Sequence, residues 1–356
     1  MLPGLLLSKK LSKNIREFSF FYPGNINQKT GGYIYEKNIL QYSKKNNIPI
    51  KFIELSKNYP NPKKIDLINL SKIINKKKLS NILIFDGLVL EGLHNSIEIF
   101  KKFKTIALIH HPLYLEFKGK KSSIFFDRAK KIYKHINYFI VTSKQTKKLL
   151  VEKFKIKTSN IMVVEPGIEK LKKYKKIKSN KIKLLTCGSI IERKNYAYLI
   201  KEIQNIDQIE LHIIGDTSRE TSYSKKIMKM LEVNNLTKKI ILHGKVSQSK
   251  LEKLYSNADY YISTSKYEGF GMSLANAFVS SLPIISFKTP TIQNTIGKSG
   301  VLFFNNFNKN TLKQIILKNC FDKKKYQLLK DNINKNNKYL TNKESAKLFI
   351  KALHNA

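Results

Sequence analysis

Twelve short apolar runs, rich in β-branched and aromatic residues, alternate along the chain with amphipathic stretches of helix length. They form two series of six, at 17–22, 49–55, 81–85, 104–109, 137–142 and 160–164, and then at 182–187, 210–214, 239–242, 259–263, 283–287 and 300–303. This alternation is typical of βαβ units with parallel strands. The pattern predicts an α/β fold with two parallel sheets, and a length of 356 residues also favours two domains.

A polar, lysine-rich segment at 165–181, which Pro166 and Gly167 open, separates the two series. Such a segment is typical of a domain boundary. The sequence therefore predicts an N-terminal extension at 1–16, an N-terminal domain at 17–170, a C-terminal domain at 171–338 and a final helix at 339–356.

The final helix has a recognisable cap and one apolar face. Thr341 and Glu344 have the spacing of a capping box. Four apolar residues then recur at helical spacing, namely Ala346, Phe349, Ile350 and Leu353. We expect this face to pack against another part of the chain.

The formal net charge of +42 comes almost entirely from lysine, because only four of the 67 basic residues are arginine. Sites that read phosphates and bases favour arginine, so nucleic-acid binding is the least favoured interpretation. The abundance of lysine, asparagine and isoleucine favours compositional drift under an AT-rich genome as the origin of this charge. The alternative is peripheral contact with an anionic membrane, for which the segment 117–135 is suited because it mixes six lysines with Phe125, Phe126 and Ile132.

Two cysteines, Cys187 and Cys320, have no CxxC or histidine partners, so the sequence predicts neither a zinc site nor a disulfide framework. A reducing cytosol is the simplest interpretation.

The first 16 residues place an apolar stretch before positive charges, which is the reverse of a signal peptide. The alternative for these 16 residues is a segment with weak membrane contact.

The segment 259–287 is the strongest candidate for chemistry. Its strand ends near Ser263, and a loop with Glu268, Gly269 and Gly271 precedes a helix predicted from Met272 to Ser281. Glycines at such a turn let backbone N–H groups approach an anion at the helix N-terminus. Glu268 would stand beside that anion without neutralising the site, where it could bind sugar hydroxyls. A plain βα loop with a solvated glutamate is the alternative.

A second candidate is the loop after the strand at 182–187, where Arg193 and Lys194 precede a helix. Two adjacent cations at the carboxyl edge of a sheet are placed to hold a diphosphate. A solvated surface charge is the alternative for Lys194, whereas Arg193 is harder to dismiss because arginine is rare here.

Two further candidates lie in the N-terminal half. Gly31 and Gly32 stand between a strand and a helix, where they permit either close approach to a ligand or a flexible turn. His110 and His111 stand directly at the end of a strand, and a structural role is the alternative for each.

Seven segments in order, spread from about 17 to 353, resemble glycosyltransferase family 4: TGGYIYE, DGLVLEG, HHPLYLE, VVEPGIE, CGSIIERKN, HGKVSQSKLEKLYSNAD and YEGFGMSLANAF. The resemblance implies the GT-B fold, with two Rossmann-like domains facing each other across a cleft. It also implies a donor site in the C-terminal domain and a final helix crossing back to the N-terminal domain. The reaction implied is retaining transfer from a nucleotide-diphosphate sugar as co-substrate, with no metal and no other cofactor.

The resemblance also assigns roles to individual residues. Lys194 matches the family's phosphate-binding lysine, with Arg193 beside it, and Glu268 matches a glutamate that contacts the donor sugar. His110 best matches a histidine near the transferred sugar, although His111 is not excluded. The other donor-binding matches are Gly31, Gly32, Gly271, Met272, Ser273 and the base-pocket residues Lys245 and Val246.

Two departures from the family pattern affect the donor site. Asn276 replaces a glutamate that usually accepts hydrogen bonds from the ribose, and Ser189 replaces a frequent arginine, for which Arg193 could substitute. A neutral amide is a weaker acceptor than a carboxylate. A catalytically degenerate nucleotide-sugar-binding paralogue is therefore one alternative.

The predicted function is that of a hexosyltransferase-type glycosyltransferase, acting on a glycan or lipid-linked acceptor in cell-envelope polysaccharide synthesis. Its predicted place is the cytoplasm, with the inner face of the membrane as a possible peripheral site. A nucleotide-sugar 2-epimerase shares the fold and is the other alternative.

Overall fold

The computed structural model describes residues 16–76, 79–335 and 339–356, with no side chain described for Lys76. Nearly all of the predicted N-terminal extension therefore lies outside the described residues. The chain divides into two compact units. The first comprises the segment up to Gln28, Gly32–Glu165 and Lys343–Ala356, and the second comprises Lys29–Gly31 and Pro166–Asn342.

The first unit is built on a six-stranded parallel sheet in the order β2-β1-β3-β4-β5-β6. Its strands are β1 (Phe18–Pro23), β2 (Ile50–Leu55), β3 (Ile82–Asp86), β4 (Lys104–Ile109), β5 (Tyr138–Val141) and β6 (Ile161–Val163). Its helices are α1 (Gly31–Lys45), α2 (Lys64–Lys76), α3 (Gly87–Gly92), α4 (Glu98–Lys102), α5 (Gly119–Tyr133) and α6 (Lys144–Phe154). Strands β1 and β3 are buried along their whole length, as expected for strands in the middle of a parallel sheet.

The second unit contains another six-stranded parallel sheet, in the order β12-β11-β10-β7-β8-β9. Its strands are β7 (Ile182–Cys187), β8 (Ile209–Ile214), β9 (Ile240–Gly244), β10 (Tyr260–Ser263), β11 (Ile284–Phe287) and β12 (Val301–Phe304). Its helices are α7 (Tyr196–Ile203), α8 (Thr221–Val233), α9 (Gln248–Asn257), α10 (Met272–Val279), α11 (Pro290–Ile296), α12 (Thr311–Asn319) and α13 (Lys323–Lys335).

The predicted α/β fold with two parallel sheets is confirmed, and each of the twelve predicted runs forms a strand. Helix α10 ends two residues earlier than predicted. Ser281 adopts a left-handed backbone with φ of 58°, and the N–H of Leu282 donates to the carbonyl of Ala277. This closure of the last turn ends the helix at Val279.

The order of strands reverses at one point in each sheet. In the first unit the chain passes from β1 to β2 on one side and then to β3 on the other. In the second unit it passes from β7 to β8 and β9 on one side and then to β10 on the other. Ligands of open α/β sheets bind at the carboxyl ends of the strands beside such a reversal. The loops that follow β1, β3, β7 and β10 are therefore the places to look for sites.

The last helix, α14 (Asn342–Asn355), completes the core of the first unit. The four residues that the sequence placed on its apolar face are buried, and Phe349 and Leu353 lie in one cluster with Phe18 and Phe20. The hydroxyl of Ser345 donates to the carbonyl of Glu165 at 2.6 Å, which fixes the helix to the strand-following segment.

No helix within the described ranges combines the length and apolarity that crossing a bilayer requires.

Phe349→Ala tests how α14 stabilises the first unit. Phe349 is fully buried, so its truncation leaves a cavity and should lower the free energy of unfolding by about 3–5 kcal/mol. The matched control is Leu348→Ala, because Leu348 is the preceding apolar residue and is 41% exposed. Urea denaturation of both variants measures the difference. Equal losses for the two variants would show that the buried face of α14 does not stabilise the fold.

Candidate functional site

Three charged side chains meet at the sheet reversal of the second unit, where β7 and β10 end. Lys194 Nζ lies 2.6 Å from Glu268 Oε1, and Arg193 Nη1 lies 3.3 Å from Glu268 Oε2. The side chains of all three residues are nearly buried, with 12%, 10% and 8% exposed for Lys194, Arg193 and Glu268. We call Arg193, Lys194 and Glu268 the charged cluster. Glu268 lies more than seventy positions after the two cations in the sequence, and the reversal of strand order brings the two loops together.

Backbone contacts hold the two loops of the cluster against each other. A 3₁₀ turn at Glu192–Lys194 follows β7 and ends at Asn195, whose φ of 57° is left-handed. The N–H of Lys266 donates to the carbonyl of Arg193 at 3.0 Å. The hydroxyl of Thr264 donates to the carbonyl of Lys194 at 2.9 Å. The guanidinium of Arg193 also donates to the carbonyl of Tyr267. The cations therefore occupy fixed positions.

Gly188, at the end of β7, leaves the space through which Lys194 reaches the cluster. A Cβ at Gly188 would lie 2.7 Å from Cε of Lys194. A Cβ at Gly215, after β8, would lie 1.9 Å from the carbonyl oxygen of Gly188. Side chains at either position would displace the loop that carries Lys194.

The segment after Glu268 adds a helix N-terminus to the same edge of the sheet. Gly271 has a φ of 93°, which favours glycine, and α10 begins at the next residue. Met272, Ser273 and Asn276 form the partly exposed stripe of α10, while Leu274, Ala275 and Ala277 are buried. The helical spacing places these three predicted donor-binding residues on one face. The first backbone N–H groups of a helix attract anions.

Opposing influences set the charge of Glu268. Burial disfavours the carboxylate, but the charges of Lys194 and Arg193 and hydrogen bonds from Lys194 and Ser265 outweigh burial and lower the pKa of Glu268 to about 2. Glu268 is therefore ionised at neutral pH. Glu268 pairs with both cations, so it reduces the positive charge of this site without cancelling it.

The cluster carries two positive charges and one negative charge, so one positive charge is in excess. That excess and the first turn of α10 favour an anion, and the carboxylate offers acceptors for hydroxyl groups. The arrangement can bind a molecule that carries both a phosphate and hydroxyls.

Other predicted residues lie at neighbouring strand ends of the second unit. Val246 follows β9 and is buried, and Lys245 forms an ion pair with Asp216 at 2.9 Å. A Cβ at Gly31 would lie 3.2 Å from Sδ of Met272, so these two predicted residues are neighbours. Ser189 follows Gly188 at the end of β7.

The first unit contains a second cluster that the sequence analysis only partly foresaw. Nε2 of His110, at the end of β4, lies 3.2 Å from Glu36 Oε1 and 3.7 Å from Asp86 Oδ2. A Cβ at Gly32 would lie 3.1 Å from the His110 ring. His111 pairs instead with Glu116 at 2.9 Å.

Glu36 and Asp86 lie in the quoted segments TGGYIYE and DGLVLEG, but the sequence assigned neither residue a role. Asp86 ends β3, and a polar residue at the carboxyl end of a strand is a signal that could have identified it. Glu36 lies inside α1, and its contact with His110 becomes visible only in the folded unit, where its side chain is buried.

The predicted site residues thus form two groups, each within its own unit. His110 and Gly32 belong to the first unit. The second unit holds the remaining candidates, namely Gly31, Arg193, Lys194, Val246, Glu268, Gly271, Met272, Ser273 and Asn276.

Residues 167–336, just under half of the chain, match the model of the family described as glycosyl transferases group 1. The matched region contains the whole charged cluster and α10. The second unit therefore contains a group 1 glycosyltransferase domain.

Two curated relatives and one solved structure extend the comparison. The chain is 26% identical over 159 residues, 44% of its length, to the GtfA subunit of a UDP-N-acetylglucosamine–peptide N-acetylglucosaminyltransferase from Streptococcus agalactiae, and it covers 31% of that protein. It is 32% identical over 85 residues, 24% of its length, to a poly(ribitol-phosphate) α-N-acetylglucosaminyltransferase from Staphylococcus aureus, and it covers 16% of that protein. The chain thus spans less than a third of either relative.

The solved structure is the sucrose-phosphate synthase from Thermosynechococcus elongatus, with a TM-score of 0.79 at 16% identity. The alignment covers 95% of this chain and 98% of that structure. At this identity the likeness shows the fold, and the fold is that of the GT-B glycosyltransferases.

Glu268→Gln should remove a stabilising contribution that depends on pH. The folded pKa of about 2 lies below the ordinary value of 4.5, so the carboxylate stabilises the fold at pH values above about 5. Stability from this source is lost as the pH falls from about 5 towards 2. The difference in unfolding free energy between wild type and Glu268→Gln should be on the order of 3 kcal/mol at pH 7 and should shrink over that range.

Urea denaturation at a series of pH values measures this difference. The matched control is Glu232→Gln on α8 in the same unit, because Glu232 is exposed and its substitution should stay within about 0.5 kcal/mol at every pH. A constant gap between wild type and Glu268→Gln from pH 7 to pH 3 would contradict the ion pairing.

Proposed function

We propose that the chain is a retaining glycosyltransferase of family 4 that moves a sugar from a nucleotide-diphosphate sugar to a glycan or glycolipid acceptor in cell-envelope polysaccharide synthesis. The observation that carries the proposal is the charged cluster. It lies at the sheet reversal of a unit that matches the group 1 glycosyltransferase model.

A UDP-sugar is the donor class that the comparisons favour. The GtfA relative is named for UDP-N-acetylglucosamine, and the relative from Staphylococcus aureus is named as an N-acetylglucosaminyltransferase. The acceptors in their names, a peptide and a poly(ribitol-phosphate), differ from each other. The acceptor proposed here, a glycan or lipid-linked glycan, therefore rests on the resemblance of the sequence to family 4.

The cluster fits the charge changes of this reaction. Negative charge grows on the diphosphate as the sugar leaves, and Lys194, Arg193 and the first turn of α10 are positioned to stabilise it. We propose that these groups do so without a metal. The acceptor hydroxyl attacks from the face that the diphosphate leaves, and its proton passes to the leaving phosphate.

Glu268 has two roles in this proposal. Before the donor binds, it holds Lys194 and Arg193 in place and limits the repulsion between them. When a diphosphate is bound, the cations share the phosphate charge, and the carboxylate accepts hydrogen bonds from hydroxyls of the transferred sugar.

Asn276 favours one alternative, a nucleotide-sugar binder without turnover. It lies on the exposed stripe of α10 with Met272 and Ser273, where the family pattern has a carboxylate. A neutral amide weakens the expected contact with the ribose. Turnover measurements separate this alternative from the enzyme, because the binder would bind the nucleotide-sugar donor without turning it over.

We propose a cytoplasmic location, which agrees with the two free thiols of Cys187 and Cys320.

Peripheral contact with an anionic membrane remains a proposal that rests on lysines. The aromatic part of the expectation for 117–135 is wrong, because Phe125 and Ile132 are buried and Phe126 packs on Tyr114 and Phe154. Helix α5 turns these apolar residues inward and keeps an exposed face with Lys120 and Lys121.

Lys194→Ala tests the binding of the diphosphate. Loss of a charge-assisted contact should weaken UDP binding by about 1.5–3 kcal/mol, which is about 10- to 150-fold in Kd. Uridine lacks the phosphates, so its affinity should change less than twofold. Isothermal titration calorimetry measures both ligands, with exposed Lys201→Ala on α7 as the matched control. Equal weakening of UDP and uridine would place Lys194 outside the phosphate site.

Glu268→Gln separates binding from transfer. Removal of the carboxylate leaves Lys194 and Arg193 free to pair with phosphate, so UDP should bind at least as tightly as to wild type. Sugar transfer should fall below about a tenth, because the amide is a poorer acceptor for the sugar hydroxyls. Release of UDP from a panel of UDP-sugars measures the second effect. Normal transfer by this variant would remove Glu268 from the active site.

A further inference from the structure

Two buried carboxyl groups face one histidine at the sheet reversal of the first unit. Glu36 on α1 and Asp86 at the end of β3 are 2% and 3% exposed. Both approach the same ring nitrogen, Nε2 of His110, at 3.2 Å and 3.7 Å. These three residues, here called the buried triad, lie on α1, at the end of β3 and directly after β4.

The His110 ring is held on several sides. Gly32 lies so close that a Cβ there would be 3.1 Å from Cδ2 and Nε2 of the ring. The ring of Tyr35 meets it edge-on with the centroids 5.8 Å apart. The hydroxyl of Thr142 donates to the main-chain carbonyl of His110 at 2.9 Å. The Nε2 edge of the ring therefore faces the two carboxyl groups.

The carboxyl groups must share a proton. Burial and their mutual repulsion raise the pKa of Asp86 well above its usual range, and burial raises the pKa of Glu36 to about 7. In the parts of the chain that the structure describes, no lysine or arginine forms an ion pair with either group. Asp86 Oδ1 accepts the N–H of Leu88 at 2.8 Å, which occupies one of its oxygens as an acceptor. One proton shared between the two carboxyl groups would remove most of their mutual repulsion.

We propose that Glu36 and Asp86, sharing one proton, hold His110 as the neutral tautomer protonated on Nε2, so that Nδ1 can accept a hydrogen bond from a hydroxyl of a sugar ligand. The Nε2–H then donates to Glu36 Oε1. No hydrogen bond to Nδ1 is seen among the described residues, so this nitrogen is available to a ligand. The inference rests on the proposed function for the identity of the ligand. Glu36 and Asp86 act through His110 and are positioning residues.

Neutral His110 agrees with its surroundings. Burial lowers the pKa of His110, although the nearby Asp86 opposes the effect. The other ionisable groups that neighbour the triad are Tyr22 on β1, Tyr35 on α1 and Tyr133 on α5. Burial raises the pKa of each, so they stay uncharged at neutral pH. None of them supplies a charge that would force His110 into the imidazolium form.

A divalent cation is the competing occupant. One atom from each of Glu36, Asp86 and His110 lies within 4.8 Å of the others, which is close enough to ligate a metal. Metal binding would require both carboxyl groups to be ionised and Nε2 to lose its proton. The two arrangements therefore differ in which ring nitrogen carries hydrogen.

The ¹⁵N NMR spectrum of the histidine side chains in the wild-type protein without ligand distinguishes them. His110→Gln identifies the His110 signals by their loss. At pH 7 we expect a protonated Nε2 and an unprotonated Nδ1, unchanged by addition of Mg²⁺, Mn²⁺ or Zn²⁺. A proton on Nδ1, an imidazolium ring, or a change of the His110 signals with stoichiometric metal would overturn the inference. This measurement needs neither a donor nor turnover, so it does not depend on the proposed function.

Glu36→Gln tests the effect on a bound sugar. The amide can present either its oxygen or its NH₂ group to Nε2, so the Nδ1-protonated tautomer should appear in the spectrum. The rate of UDP release from the UDP-sugar that wild type turns over should fall about 100-fold, because a small misplacement of a positioning group has an effect of this size. The Kd of UDP should change less than threefold.

The matched control is Glu91→Gln, since Glu91 is equally buried in the first unit and bonds to Tyr133 rather than to His110. It should leave both the tautomer and turnover near their wild-type values. Unchanged turnover and tautomer in Glu36→Gln would overturn the inference. Absence of turnover in wild type would count against the proposed function instead.

Discussion

The ion pairs of Glu268 with Arg193 and Lys194 are the interaction on which the candidate site depends. Two cations on neighbouring residues in a nearly buried loop repel each other and lose solvation. The carboxylate offsets both effects and joins the loop after β7 to the loop after β10. Replacing it would leave two charges poorly solvated, which is costly in a buried setting.

The two units place their polar clusters at a similar position in their sheets but differ in the electrostatics of those clusters. Each carries polar groups at the carboxyl ends of strands beside a reversal of strand order. In the second unit a carboxylate is kept ionised by two cations, and its pKa is lowered to about 2. In the first unit two carboxyl groups have no such partner among the residues that the structure describes, and burial raises their pKa values. One cluster is suited to phosphate and the other to a neutral hydroxyl.

The strands and the residues of the charged cluster could be predicted from the sequence, because they depend on local patterns. The strands followed from short apolar runs, and the positions of Arg193, Lys194 and Glu268 followed from loops between strand and helix. The pairing of Glu268 with both cations could not be predicted, since it depends on which strands are neighbours in the sheet. Glu36 was missed for a similar reason. It lies on a helix with no distinctive spacing, and its partners come from β3 and β4. The inward direction of Phe125 and Ile132 likewise depended on what α5 packs against.

The central claim is that the charged cluster and the first turn of α10 bind the diphosphate of a nucleotide-sugar. A crystal structure of the protein with UDP tests it most directly. The account predicts phosphate oxygens within hydrogen-bond distance of Lys194 Nζ, the Arg193 guanidinium and the first backbone N–H groups of α10, with Glu268 still beside the cations. A diphosphate bound away from these groups, or none at a UDP concentration that saturates binding in solution, would contradict it.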